Sequence, residues 1–211
     1  VSQLSDLYAR IAACTTCGLC KTRTLAVPGE GPDDAEIMFV GEGPGFHEDQ
    51  QGRPFVGQAG KFLEEMLASI GLRRSDVYIT NVVKCRPPGN RDPLPNEIEA
   101  CRPYLEEQIR RIQPRVIVTL GRYSLAWFFP RDTISRVHGQ IREKDGRVFV
   151  NLYHPAAALH SAGLRKTIEE DFRRIPAALE RARALSAPAF VLSAPAGEAA
   201  PQPAAEQMRL F

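Results

Sequence analysis

Four short apolar runs punctuate the chain: Glu36-Ile37-Met38-Phe39-Val40, Val77-Tyr78-Ile79-Thr80, Val116-Ile117-Val118-Thr119-Leu120 and Val148-Phe149-Val150-Asn151-Leu152. Their length and β-branched content suit strands buried on both faces. Between them the apolar period lengthens to that of a helix. Phe62, Leu63, Met66, Leu67 and Ile70 share one face of a helix near 58–70, stopped by Gly71. Ile98, Cys101, Leu105, Ile109 and Ile112 do the same over 96–112, and Ile168, Phe172, Ile175 and Leu179 over a last helix at 165–183. Residues 3–13 form a short leading helix. Strands alternating with helices predict an α/β fold: a three-layer α/β/α sandwich with a central, mainly parallel four-stranded sheet. No internal repeat is present.

Past residue 184 this patterning stops. Ala, Pro, Glu and Ser dominate to residue 206, so residues 1–184 read as one domain and 185–211 as a disordered tail. No run approaches the ~18 apolar residues of a membrane span, and no signal peptide is recognisable, so a cytoplasmic protein is expected. The net charge of +2 hides an asymmetry: residues 84–147 carry 13 basic and 8 acidic side chains, against 7 and 11 in residues 1–83. The excess is mostly Arg, whose planar fork suits phosphate, so nucleic acid is a candidate partner.

Candidate chemistry comes from three places. Cys14 and Cys17, separated by two residues, can grip one metal or cluster, and Cys85 and Cys101 can complete four ligands; Cys20 is the odd thiol. Reduced thiols in a cytosolic chain favour metal binding over disulfides. Four thiolates suit zinc or an iron–sulfur cluster, and the spacing does not separate the two. Next, Gly41-Glu42-Gly43-Pro44-Gly45 resembles a nucleotide loop and fails as one: Phe46 stands where a dinucleotide fingerprint needs Gly. Pro44 removes an amide that would face phosphate. The glycines instead allow close approach to a flat ligand. Finally, Glu42, Asn81, Gly121 and His154 each lie just past the C-terminal end of a predicted strand, the edge where open α/β sheets bind ligands.

These residues fall into motifs that resemble the family 4 uracil-DNA glycosylases. Gly41-Glu42-Gly43-Pro44-Gly45 with Glu48-Asp49 and Gly52-Arg53-Pro54-Phe55-Val56-Gly57 is similar to the family's first motif, Thr80-Asn81-Val82-Val83-Lys84-Cys85-Arg86-Pro87 to its central one, and Tyr153-His154-Pro155-Ala156-Ala157 to its last. The resemblance covers residues 4–183. It implies a [4Fe–4S] cluster on Cys14, Cys17, Cys85 and Cys101. It also implies excision of uracil flipped out of DNA. In that reading Phe55 stacks on uracil beside Gly43, Asn81 reads N3–H and O4, and His154 bonds O2. Glu42 positions the attacking water, and Glu48 crowds the C5 edge against thymine. Cytosine presents an acceptor and an amine where Asn81 needs the reverse. The expected place of work is the cytoplasm, at the nucleoid, as a monomer.

Departures from the family are Phe46-His47, where acidic residues are common in relatives, and His160, where many have Arg. The loop after Cys85 lacks the Arg-rich, His-bearing insert of relatives that trap uracil DNA covalently, so turnover is expected. Arg86, Arg91 and Arg165 are candidates for phosphate contact. Gln207-Met208-Arg209-Leu210-Phe211 resembles the peptide by which bacterial repair proteins hold the sliding clamp, with Gln207, Met208, Leu210 and Phe211 as the contacts. Two rival functions are a DNA-binding or polymerase-accessory protein without activity and a zinc-dependent deaminase or hydrolase. The deaminase needs His-x-Glu with a downstream Cys-x-x-Cys; here His47 and Glu48 are adjacent and the cysteine pair lies upstream.

Overall fold

The apolar runs become strands because their side chains are buried on both faces. In the computed structural model, which describes residues 3–185, these are β1 (Ile37–Gly41), β2 (Tyr78–Asn81), β3 (Val116–Leu120) and β5 (Arg147–Leu152), with every position buried. They pair in parallel. A further strand, β4 (Ile141–Lys144), pairs antiparallel with β5, giving the order β2-β1-β3-β5-β4. The sheet thus has five strands, not the expected four. The turn joining β4 to β5 has Asp145 and Gly146 at φ 48 and 69. That backbone is the two-residue hairpin turn favoured by Asp-Gly. The charged, half-exposed β4 protects the sheet edge from further pairing.

The helices are α1 (Ser5–Ala13), α2 (Phe46–Gln51), α3 (Gln58–Ser69), α4 (Pro95–Ile112), α5 (Arg122–Phe128), α6 (Ile134–Val137), α7 (Pro155–Ala158), α8 (Ala162–Phe172) and α9 (Ile175–Ala184). The expected single helix over 165–183 is two. Pro176, near the start of α9, has no N–H to continue α8 and is accepted only in a first turn.

Alternate residues of each strand feed opposite cores. Met38, Val40 and Ile117 pack with Leu7 and Ile11 of α1, Leu105 and Ile109 of α4, and Leu125 and Phe128 of α5. Ile37, Phe39, Val118 and Val150 pack with Leu63 and Leu67 of α3, Ile168 and Phe172 of α8, and Ala178 of α9. Two helical layers therefore sandwich the sheet, as expected. Each buried side chain of this size contributes roughly 1.5–3 kcal/mol before entropy is counted. From β1 the chain crosses to β2 on one side, and from β2 it returns past β1 to β3. The strand order reverses beside β1, which opens a crevice at the C-terminal strand ends. Residues 1, 2 and 186–211, including the Ala/Pro-rich stretch and Gln207, Met208, Leu210 and Phe211, lie outside the described residues.

Candidate active site and cysteine cavity

Four strand ends deliver the site. Gly41 and Asn81 are in register across β1 and β2. A Cβ on Gly41 would lie 2.4 Å from Asn81 Oδ1 and 2.7 Å from Phe55 Cζ, so only glycine lets the amide and the ring meet there. The Phe55 ring stacks on His154, centroids 5.6 Å apart and planes 29° from parallel. A Cβ on Gly121, at φ +88, would stand 3.0 Å from His154 Cβ, so β3 also closes on the imidazole. Asn81 is buried, and its Oδ1 has no hydrogen-bond partner among the described residues. A buried, unpaired acceptor is costly unless it serves a ligand. Asn81, Phe55, His154 and Gly121 are thus brought together. Glu42 sits on the adjoining turn, its carbonyl accepting from Val83 N at 3.0 Å.

Phe55 holds φ +52, a region a bulky residue rarely occupies. Its loop is clamped from behind. Arg74 Nη1 donates to Phe55 O at 2.8 Å and Nη2 to Pro54 O. A Cβ on Gly60 of α3 would fall 1.9 Å from Phe55 O. Glu48 clamps it from the other side: Oε1 accepts from Val56 N and Gly57 N, both at 2.8 Å, and Oε2 from Gly45 N at 3.1 Å. The Glu48 carboxylate is therefore committed to main-chain amides that shape the pocket. No sequence motif singled out Arg74, because its partners are carbonyls that any residue offers.

Burial, reinforced by Asp92 and opposed by Arg122, pushes the Glu42 carboxyl up to about 7. Arg122 Nη2 donates to Asp92 Oδ2 at 2.6 Å, an exposed pair absent from the sequence reading. Burial pushes His154 down to about 4, against the pull of Glu48. The neutral imidazole has a defined tautomer. Its Nδ1 accepts from Ala156 N at 3.2 Å as the N-cap of α7, so the proton sits on Nε2, the nitrogen free to donate.

No disulfide joins the five cysteines, and Cys14, Cys17, Cys20, Cys85 and Cys101 face one cavity with Arg23 and the buried Lys84. Arg23 Nη1 donates to Cys85 Sγ at 3.0 Å and Lys84 N to Cys101 Sγ at 3.3 Å. Among the described residues no three His, Cys, Asp or Glu side chains converge as ligands of a single metal ion would. The thiols instead ring a space between α1, the segment after β2 and α4. Cys20 lines that space with the other four.

Much of the arginine excess is used inside the fold. Arg91 pairs with Glu97 at 2.6 Å, and Arg165 with Glu65 at 2.8 Å and Glu169 at 3.0 Å. Arg86 bonds Asn90 Oδ1 at 2.7 Å and lies over the exposed Phe46 ring. Of the three arginines expected to meet phosphate, two are thus held by carboxylates.

Known proteins match this sequence. The family model described as the uracil DNA glycosylase superfamily matches residues 28–179. The chain is similar to the type-4 uracil-DNA glycosylase of Archaeoglobus fulgidus, with 52% identity over 185 residues, covering 83% of this chain and 92% of the relative. It is similar to that of Sulfurisphaera tokodaii, with 51% identity over 83% of this chain and 84% of the relative. It also resembles that of Saccharolobus solfataricus, at 49% identity over 82% and 86%. The matched segment runs from the residues before β1 into the first half of α9, and so contains the strand ends that carry Glu42, Asn81 and His154. With a family match over most of the chain and relatives at about half identity, the chain belongs to the uracil DNA glycosylase superfamily.

Proposed function

We propose that this protein is a uracil-DNA glycosylase of the type-4 kind that releases free uracil from DNA and leaves an abasic site. The observation that carries the reading is the pairing of an unpartnered, buried Asn81 Oδ1 with a neutral His154 Nε2–H beside the Phe55 ring. That set complements uracil edge by edge. Phe55 takes the ring face, Gly41 and Gly43 leave room for it, Asn81 Oδ1 accepts from N3–H while the amide nitrogen donates to O4, and His154 donates to O2. As the bond from C1′ to N1 breaks, its electron pair goes to the base and charge collects on O2, where the His154 donor meets it. Glu42 as carboxylate orients water for attack on C1′, takes its proton and favours the positive sugar. For Glu48 we assign pocket shaping through Gly45, Val56 and Gly57 in place of direct contact at C5. The test is uracil release from a uracil-containing oligonucleotide. Repeated turnover is expected; no free uracil, or one covalently captured equivalent per enzyme, rejects the proposal.

The cysteine cavity fits an iron–sulfur cluster: at least four thiols ring a space instead of converging on a point, and Arg23 and Lys84 supply positive charge and N–H donors to the sulfurs. Cys14, Cys17, Cys85 and Cys101 would hold it. When bound, a [4Fe–4S] cluster supplies a cross-link between α1, the segment after Asn81 and α4. Purified protein is expected to hold about four irons and to absorb near ~400 nm. Cys20→Ala should leave the iron content unchanged. Loss of iron in Cys20→Ala with retention in Cys17→Ala would reassign the ligand.

For the C-terminal peptide the proposal is clamp binding by Gln207, Met208, Leu210 and Phe211. Its support is apolar residues following a long Ala/Pro-rich stretch, a composition suited to a tethered docking peptide. Titration with the cognate clamp should show binding by the full chain and none after removal of 207–211. Equal binding by both, or none by either, rejects it. Uracil release from a short oligonucleotide should be the same with and without the peptide. No described helix is long and apolar enough to cross a membrane.

A further inference from the structure

Lys84 lines the cysteine cavity, yet its side-chain nitrogen is turned to other partners. Lys84 is 1% exposed, among the most enclosed side chains of the protein. Its Nζ donates to Thr80 Oγ1, Asn81 O and Gln108 Oε1, each at 2.7 Å. All three partners are acceptors here. Asn81 O is a carbonyl. Thr80 Oγ1 donates its own proton to Pro28 O at 2.9 Å. The Gln108 amide nitrogen donates to Pro28 O at 2.6 Å and Tyr78 Oη at 2.9 Å, which fixes Oε1 toward the lysine. Three acceptors require three N–H groups, so this geometry is that of an ammonium.

Burying a charge costs free energy that three good bonds only offset, and an apolar side chain of the same length would avoid that cost only by leaving Asn81 O and Gln108 Oε1 without this donor. What the lysine supplies in return is a fixed end to β2. Asn81 is its last residue, and its carbonyl accepts from Lys84 Nζ. Lys84, three residues on, reaches back to close that turn, while its own carbonyl accepts from Val27 N at 2.7 Å and its N–H reaches Cys101 Sγ. Gln108 anchors the ammonium from α4, and through Tyr78 and Tyr8, whose hydroxyls lie 2.8 Å apart, from α1.

We propose that Lys84, anchored by Gln108, is the positioning residue that holds the Asn81 main chain so that its amide meets the uracil N3–H and O4 edge. The inference rests on the glycosylase reading. A displacement of the order of 1 Å in such a group costs roughly 10²-fold in rate. The experiment is a double-mutant cycle on single-turnover uracil release, with rates taken per iron-loaded molecule. Lys84→Met should slow the wild-type background roughly 10–100-fold. In the Asn81→Ala background it should change the rate less than about threefold, because the residue it positions is gone. Affinity for DNA carrying a tetrahydrofuran abasic analogue should be unchanged. Where Lys84→Met does not fold, Gln108→Leu, seven residues beyond Cys101 and touching no thiol, replaces it in the same cycle with a loss of about tenfold. Equal slowing in both backgrounds, or a wild-type-background loss under threefold, overturns the inference. Absence of uracil release by the unaltered protein instead overturns the glycosylase reading, and the inference falls with it.

Discussion

Replacing His154 by alanine is expected to slow single-turnover uracil release about 10²–10³-fold, the usual cost of one donor to developing charge. The size follows from where the donor sits. Burial holds the imidazole neutral down to about pH 4, and Ala156 N occupies Nδ1, so the Nε2 proton is present throughout the working range. The loss should therefore be independent of pH between 5 and 8, unlike that of a histidine acting as acid or base. Asn81→Ala should cost a similar factor, and Asn81→Asp should not restore the rate, because a carboxylate has no donor for O4. Near wild-type rates in the Asn81→Ala, His154→Ala double variant would dismantle the proposed site.

The second large effect belongs to Glu42, and it appears in pH. Only the carboxylate can orient and deprotonate water, so the rate should rise about tenfold per pH unit to a plateau above about 7, where the raised ionisation completes. Glu42→Gln should be slow and lack this limb, while binding DNA nearly as well. Stability should move the opposite way. The folded state holds the proton up to about 7, whereas the unfolded chain releases it near 4.5, so the native state loses stability as pH rises through that interval. Glu42→Gln removes the penalty. Its Tm should exceed that of the unaltered protein at pH 8 and match it at pH 4. A flat wild-type profile from pH 5 to 8, with equal Tm values at pH 8, would exclude this account.

Buried strands were legible because Met38, Val118 and Val150 sit in unbroken apolar runs, which a two-sided sheet demands. β4 was not, because Ile141-Arg142-Glu143-Lys144 carries one apolar residue; its signal was the Asp145-Gly146 pair, whose conformation is set locally. Pro176 marked the break between α8 and α9, yet the apolar period runs through it, and periodicity alone joins the two. Glu42, Asn81 and His154 could be picked out because parallel topology sends every strand end to one edge. Arg74 and Lys84 could not. Both act on main-chain carbonyls, which carry no residue identity, so nothing in spacing or composition points to their targets. Glu48 was visible as a motif residue, but its three amide partners come from two separate turns.

The β4–β5 turn also has a practical meaning. β5 runs from Arg147 toward the His154 loop, so Asp145 and Gly146 stand at the far end of the sheet from the pocket, and both are exposed. Deleting one residue before Asn81 would slide β2 along β1 and swap the faces of its side chains, whereas lengthening Asp145-Gly146 leaves every strand end where it is. The molecule thus comes with a ready attachment point. A fluorophore or tether inserted there can report on the enzyme travelling along DNA without entering the pocket that reads it.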